Sequence, residues 1–188
     1  QRTSDKVWKH CDDIGVPPEV RERMFDTPRV FSTPVFTVYL QDWFQLLSSL
    51  DICVRQQIAM RYDIDNLSEL YTAVTGFETT PVQLQQAGAR VLNMIKAINV
   101  REGFSRKDDS LPERWFEPLQ AEGKEVRLMD YYRKQELTKD DLNAMLDEYY
   151  TERGWDVEKG IPTKELLTNL GMADIAEDLA KQGRLRDG

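Results

Sequence analysis

The segment from Thr80 to Gly103 limits most strongly what this chain can become. Thr80-Pro81 opens it: the threonine hydroxyl can accept an N–H of the first turn, and proline suits the first helical position. Gly103 closes it shortly after Arg101, as the residue that most readily enters the left-handed conformation at a helix end. Between these ends Leu84, Ala87, Val91, Ile95 and Ile98 recur at helical spacing, flanked by Leu92 and Met94. A helix this long must bury its apolar stripe against other elements, which predicts a multi-helix domain. Gly88 lies inside the helix, where glycine costs about 1 kcal/mol against alanine. Its presence predicts a helix crossing too close for a side chain.

Similar punctuation recurs along the chain. Ser4 is placed to cap a first helix carrying Val7, Trp8 and Cys11 and stopping near Gly15. Pro17 and Pro18 suit the start of a short second helix through Met24 and Phe25. Thr33-Pro34 opens a longer one bearing Val35, Val38, Tyr39, Trp43, Leu46, Leu47, Leu50 and Cys53, with Asp42 as its polar intruder. Its early part, Val35 to Leu40, is rich in β-formers, so a short strand is the competing expectation there. Asn66 or Ser68 starts the next helix, and Gly76 ends it. Residues 105–112 read as a polar loop, and residues 119–135 as a charged connector. Thr138-Lys139-Asp140-Asp141 resembles a capping box with Asp in place of Glu, opening a helix that runs to Gly154. Thr163 caps a further helix to Gly171, and a last one runs from Ala173 to Gly183. The expectation is an all-α, irregular multi-helix domain over residues 1–188, divisible into sub-lobes 1–118 and 136–188.

Composition narrows the class of partner. With 188 residues, 40% hydrophobic and 31% charged, the chain can bury a sizeable core. A net charge of −8 disfavours nucleic acid and anionic membrane surfaces, and no apolar run reaches the length of a membrane span. Two cysteines, Cys11 and Cys53, make no disulfide scaffold, and a reducing cytoplasmic setting is expected.

Taken by themselves, few residues point to chemistry. Cys53 alone reads as a small buried hydrophobe. Two cysteines so far apart cannot hold an iron–sulfur cluster, which takes four thiolates. His10, the one histidine, could act as a general acid or base, but it sits on a charged helix without a motif and reads as solvated or structural. Neighbours on a helix diverge by about 100°, so His10 and Cys11 are poorly placed to chelate one metal. Asn99 to Asp109 crowds polar groups together. There Arg101 and Gly103 can finish a helix, and Asp108 and Asp109 can pair with Arg101, Arg106 or Lys107. No phosphate-binding G-x-x-x-x-G-K-S/T occurs.

Two blocks are distinctive in wording and in order. The first is Thr75 to Trp115. The second is Tyr149-Tyr150-Thr151-Glu152-Arg153-Gly154-Trp155-Asp156 with Gly160-Ile161-Pro162-Thr163, ahead of Leu170-Gly171. Together they resemble the C-terminal helical part of the tungsten-containing aldehyde ferredoxin oxidoreductase family, whose members carry a similar E-Y-Y-x-x-R-G-W-D and G-I-P-T. The resemblance runs from about Gln41 to Gly171.

This resemblance implies a role for the end of the third helix. There Ser48-Ser49-Leu50-Asp51-Ile52-Cys53 lies where the family has D-x-x-G-L-C. Cys53 falls on the cysteine that is the fourth ligand of a 4Fe–4S cluster, whose other ligands come from a C-x2-C-x3-C run not contained in these residues. Ser48, Asp51 and Ile52 fall on positions beside the pterin of the tungsten cofactor. Two of these depart from the family: Ser48 replaces an aspartate, and Asp51 replaces the glycine. A serine hydroxyl accepts more weakly than a carboxylate and carries no charge. No catalytic residue carries over. The implied cofactors of the whole enzyme are a tungsten (or molybdenum) bis-pterin and the cluster, none of them held by this chain alone. The implied reaction oxidises aldehydes to carboxylic acids, with electrons leaving to ferredoxin. The implied partner is the family's N-terminal cofactor domain, and the isolated chain is expected to be inactive. Two other readings stay open: a divergent member reducing aryl thioesters, and a cofactor-free helical module serving assembly.

Overall fold

The computed structural model describes residues 2–25, 31–53, 55, 62–131 and 133–185. Its helices are α1 Arg2–Asp13, α2 Pro18–Phe25, α3 Thr33–Ser49, α4 Ile64–Thr75, α5 Pro81–Arg101, α6 Lys139–Arg153, α7 Lys164–Asn169 and α8 Ala173–Lys181. Two antiparallel hairpins interrupt them, β1 Leu119–Ala121 with β2 Lys124–Val126, and β3 Trp155–Asp156 with β4 Ile161–Pro162. The molecule is mostly helical, as expected.

Helix ends follow the local chemistry. The hydroxyls of Thr80, Thr138 and Thr163 accept from backbone N–H groups of the first turn, and Gln83 and Asp141 complete reciprocal capping boxes. Gly76 and Gly154 end their helices in the left-handed conformation. Elsewhere the start points shift. The α1 helix begins at Arg2, before the expected cap at Ser4. The cap of α3 is Ser32 rather than Thr33, and α4 is capped by Asp63, whose carboxylate accepts from Asn66 N–H. Val35 to Leu40 is helical despite its β-formers, because Ser32-Thr33-Pro34 starts a helix whose face is buried at Val35, Val38, Trp43, Leu46 and Leu47. The expected connector holds the β1–β2 hairpin, turned by Glu122 and Gly123, both at positive φ.

Two apolar clusters form the core. One gathers Cys11, Ile14, Met24, Trp43, Leu46, Leu47, Ile64, Leu67 and Leu84 from α1 to the start of α5. The other gathers Ala97, Val100, Ile161, Leu167, Met172, Ala176, Leu179 and Leu185. Helix α5 joins them by changing its buried face. Near its start Leu84 and Gly88 are buried, and an added Cβ at Gly88 would lie 2.2 Å from the carbonyl oxygen of Asp42 in α3. One turn on, the buried set becomes Asn93, Lys96, Ala97 and Val100, on roughly the opposite side at 100° per residue. The stripe expected to be buried throughout therefore emerges: Ile95 is 44% and Ile98 46% exposed, beside an exposed Met94.

Candidate functional site

Helix α3 ends in a tight backbone turn. Asp51 N–H donates to Ser48 O and Ile52 N–H to Leu47 O, the paired bonds of a Schellman motif, with Asp51 in the left-handed conformation at φ 56°. That conformation favours glycine, and Asp is among the side chains that tolerate it. Ser48 and Asp51 are exposed, Ile52 is half-buried, and Cys53 is exposed at the end of the turn. The structure thus strings Ser48, Asp51, Ile52 and Cys53 along one short segment at one end of α3.

The two cysteines differ sharply. Cys11 is fully buried in the first core cluster, and burial pushes its thiol up to about 12. It is an inert hydrophobe. Cys53 is not in the core, contrary to what its residue type alone suggests, because α3 stops at Ser49 and the chain leaves the packed face. Among the described residues no three His, Cys, Asp or Glu side chains come together in a metal-binding group.

Against the middle of α3, at Val38, Gln41 and Asp42, the distinctive blocks meet. Arg153, 4% exposed, donates to the Asp42 carboxylate, to Val38 O at 2.8 Å, to Gln41 Oε1 at 2.9 Å and to Tyr149 Oη at 3.2 Å. Tyr149 in turn donates to Gln41 at 2.7 Å. Burial raises the Asp42 carboxyl, and the Arg153 guanidinium opposes it. Next to this pair, Tyr150 donates to Asp109 Oδ2 at 2.7 Å, and Lys96 Nζ donates to the same oxygen at 2.8 Å. Trp155 Nε1 donates to Asn93 at 2.8 Å, and its ring lies beneath Lys96. Burial first, then the bond to Asp109, raises the Tyr150 phenol. The Arg106 guanidinium lies over the Tyr150 ring and donates to Val157 O at 2.7 Å. Gly160 is needed against that ring, since an added Cβ would come within 2.9 Å of it.

This polar knot corrects the expected pairing of the 101–109 segment. Asp109 pairs with Lys96, Asp108 accepts from Ser105 N–H, Arg106 pairs with Asp147, and Arg101 with Glu102. The spacing of Asn93, Lys96, Ala97 and Val100 was the signal for a second buried face on α5, masked by the stronger apolar stripe. The knot's groups satisfy one another, so it organises structure and brings α3, α5 and α6 together. His10 is partly buried, with its ring edge toward Phe36 and Nδ1 buried without a hydrogen-bond partner among the described residues. It lies beside Phe36, at the edge of the first core cluster.

Comparison with known proteins gives these features a family. The profile described as aldehyde ferredoxin oxidoreductase, domains 2 and 3, matches residues 2–172. The chain belongs to this family. A tungsten-containing aldehyde ferredoxin oxidoreductase of Pyrococcus furiosus is 29% identical over 143 residues, 73% of this chain and 21% of that protein. The WOR-like subunit of an aliphatic sulfonate oxidoreductase from the same organism is 28% identical over 123 residues, 62% of this chain and 18% of that protein. Among solved structures, the active site complex BamBC of benzoyl coenzyme A reductase with 1,5-dienoyl-CoA superposes with a TM-score of 0.64. It is 25% identical, and the superposition covers 94% of this chain and 26% of that one. The chain thus spans about a fifth of the length of the curated relatives it matches. Its relatives are oxidoreductases, and no helix among the described residues is long and apolar enough to cross a membrane.

Proposed function

We propose that this chain is a C-terminal helical domain of a tungsten-pterin, iron–sulfur oxidoreductase that oxidises aldehydes to carboxylic acids. In this reading Cys53 is the fourth thiolate of a 4Fe–4S cluster, and Ser48, Asp51 and Ile52 face the pterin. The N-terminal cofactor domain supplies the remaining ligands, ferredoxin accepts the electrons, and the setting is cytoplasmic. The observation that carries the reading is the turn after α3. Asp51 stands, at φ 56°, where the resemblance aligns it with the family's glycine, and that left-handed conformation is the one glycine adopts most readily. The exposed thiol that follows fits a ligand shared with another part of the enzyme.

When bound, the tungsten centre supplies the two-electron oxidation and the cluster relays the electrons. This chain's residues do simpler work. The Schellman bonds fix where Cys53 leaves the helix, Ile52 anchors the turn on the first core cluster, and Ser48 offers a hydroxyl where the family has a carboxylate. By itself the chain supplies one thiolate and no complete ligand set, so the isolated domain is expected to hold neither metal and to be inactive.

Anaerobic expression of the complete gene tests the proposal. Tungsten and iron are expected in stoichiometric amounts, with aldehyde-dependent reduction of ferredoxin. Cys53→Ser should remove the cluster's visible absorption, and an unchanged spectrum would take Cys53 out of the ligand set. The fold similarity to benzoyl coenzyme A reductase favours one second reading, reduction of an aryl thioester. Activity with an aryl thioester and none with aldehydes would select it.

A further inference from the structure

The segment that leads into α6 carries a device that the proposed redox chemistry does not use. Two antiparallel turns follow one another there, the first being the β1–β2 hairpin. In the second, Leu137 N–H donates to Leu128 O and Asp130 N–H to Gln135 O, both at 2.8 Å, with Met129 bridged to Glu136. The Asp130 carboxylate also accepts from the N–H groups of Lys134 and Gln135. Arg127 ties the two turns together, donating to Glu125 at 2.6 Å and to Glu136 at 2.9 Å. Among the described residues, no backbone–backbone hydrogen bond joins residues 118–131 or 133–137 to a helix. The ends of this arm are drawn together where Lys139 pairs with Glu113. Its tip reaches the first core cluster, where the Tyr131 ring lies 5.5 Å from that of the buried Phe31.

We infer that this arm is a strap that opens and closes as one unit, latched by Tyr131 on Phe31. A segment that keeps its backbone hydrogen bonds to itself can open locally while the rest stays folded. The arm also draws little stability from its own turns. A hairpin with three residues per strand is marginal in water, and every residue of β1 and β2 is exposed. The turns hold Glu122 and Arg133 in left-handed backbone, at φ 51° and 55°, which side chains disfavour. The arm's order therefore depends on what holds its tip. Phe31 precedes Ser32, which caps α3 and donates to Glu148 of α6. Opening bares the Phe31 ring at this junction, so water favours the closed strap.

Hydrogen–deuterium exchange read by mass spectrometry, on protein made from the complete gene, tests this. Peptides from residues 119–130 are expected to exchange together and well ahead of α3, α5 and α6. Tyr131→Ala should speed that exchange about tenfold, the factor an ordinary aromatic pair is worth, and leave the three helices unchanged. Tyr131→Phe keeps the ring and should match the unsubstituted protein. Tryptic cleavage after Lys124 and Arg127 gives a second reading and should accelerate in the same order. An arm protected as strongly as the helices, unaltered exchange in Tyr131→Ala, or helices loosened along with the arm would overturn the inference. So would Tyr131→Phe behaving like Tyr131→Ala, because the hydroxyl rather than the ring would then be the latch.

Discussion

Gly88→Ala puts the central packing contact to a quantitative test. An alanine Cβ built at residue 88 would lie 2.2 Å from the Asp42 carbonyl oxygen, 2.9 Å from its carbon and 3.3 Å from Leu46 Cβ. A carbon–oxygen contact of this kind normally sits near 3.3 Å, so α3 and α5 must separate by about 1 Å. The obstacle is helix backbone, held by its own hydrogen bonds, so rotating a side chain cannot relieve it. A gap of that size forfeits roughly a quarter to a half of the dispersion energy in the contacts it opens. Overpacking of this severity costs about 3 kcal/mol, while the better helix propensity of alanine returns about 1 kcal/mol. The expected net loss is about 2 kcal/mol, or a fall in Tm of roughly 4–8 °C for a domain this size. Thermal unfolding followed by circular dichroism measures it directly. An unchanged or raised Tm, as helix propensity alone would give, would refute the close-crossing argument.

Further predictions address the knot, the turn and the buried imidazole. Arg153→Met leaves the Asp42 carboxylate buried without its cation and should cost about 3–5 kcal/mol in urea unfolding, with Asp42→Asn restoring part of the loss; no recovery in the double variant would argue against the pair. Asp51→Gly relieves a left-handed aspartate and should raise stability by about 0.5–1 kcal/mol in the same assay, a loss counting against the turn geometry. Burial lowers the pKa of His10, so the folded ring stays neutral at pH values where the unfolded ring gains a proton. Its stability contribution is present above about pH 6.5 and is lost as pH falls toward the folded value. In Tm against pH, His10→Gln should flatten that part of the profile, and an unaltered slope would show that other groups produce it.

The sequence by itself determined the helices and most of their ends. Caps, capping boxes and left-handed glycines act through bonds to residues three to five positions away, so Thr80, Thr138, Thr163, Gly76 and Gly154 could be read without a fold. Gly88 announced a crossing because only a close neighbour justifies its cost. The family was legible as well, since the order of two local blocks survives in wording. What only the tertiary structure decided is what each side chain meets. Asp109 takes Lys96, a partner on α5, over the arginines beside it. Cys53 is exposed because α3 ends before it, whereas Cys11, of the same residue type, is sealed in the core. Helix α5 satisfies two cores on opposite sides, and that choice leaves Ile95 and Ile98 in the open. Such outcomes depend on contacts between elements distant in the chain, where burial and charge are set by neighbours that local sequence does not specify.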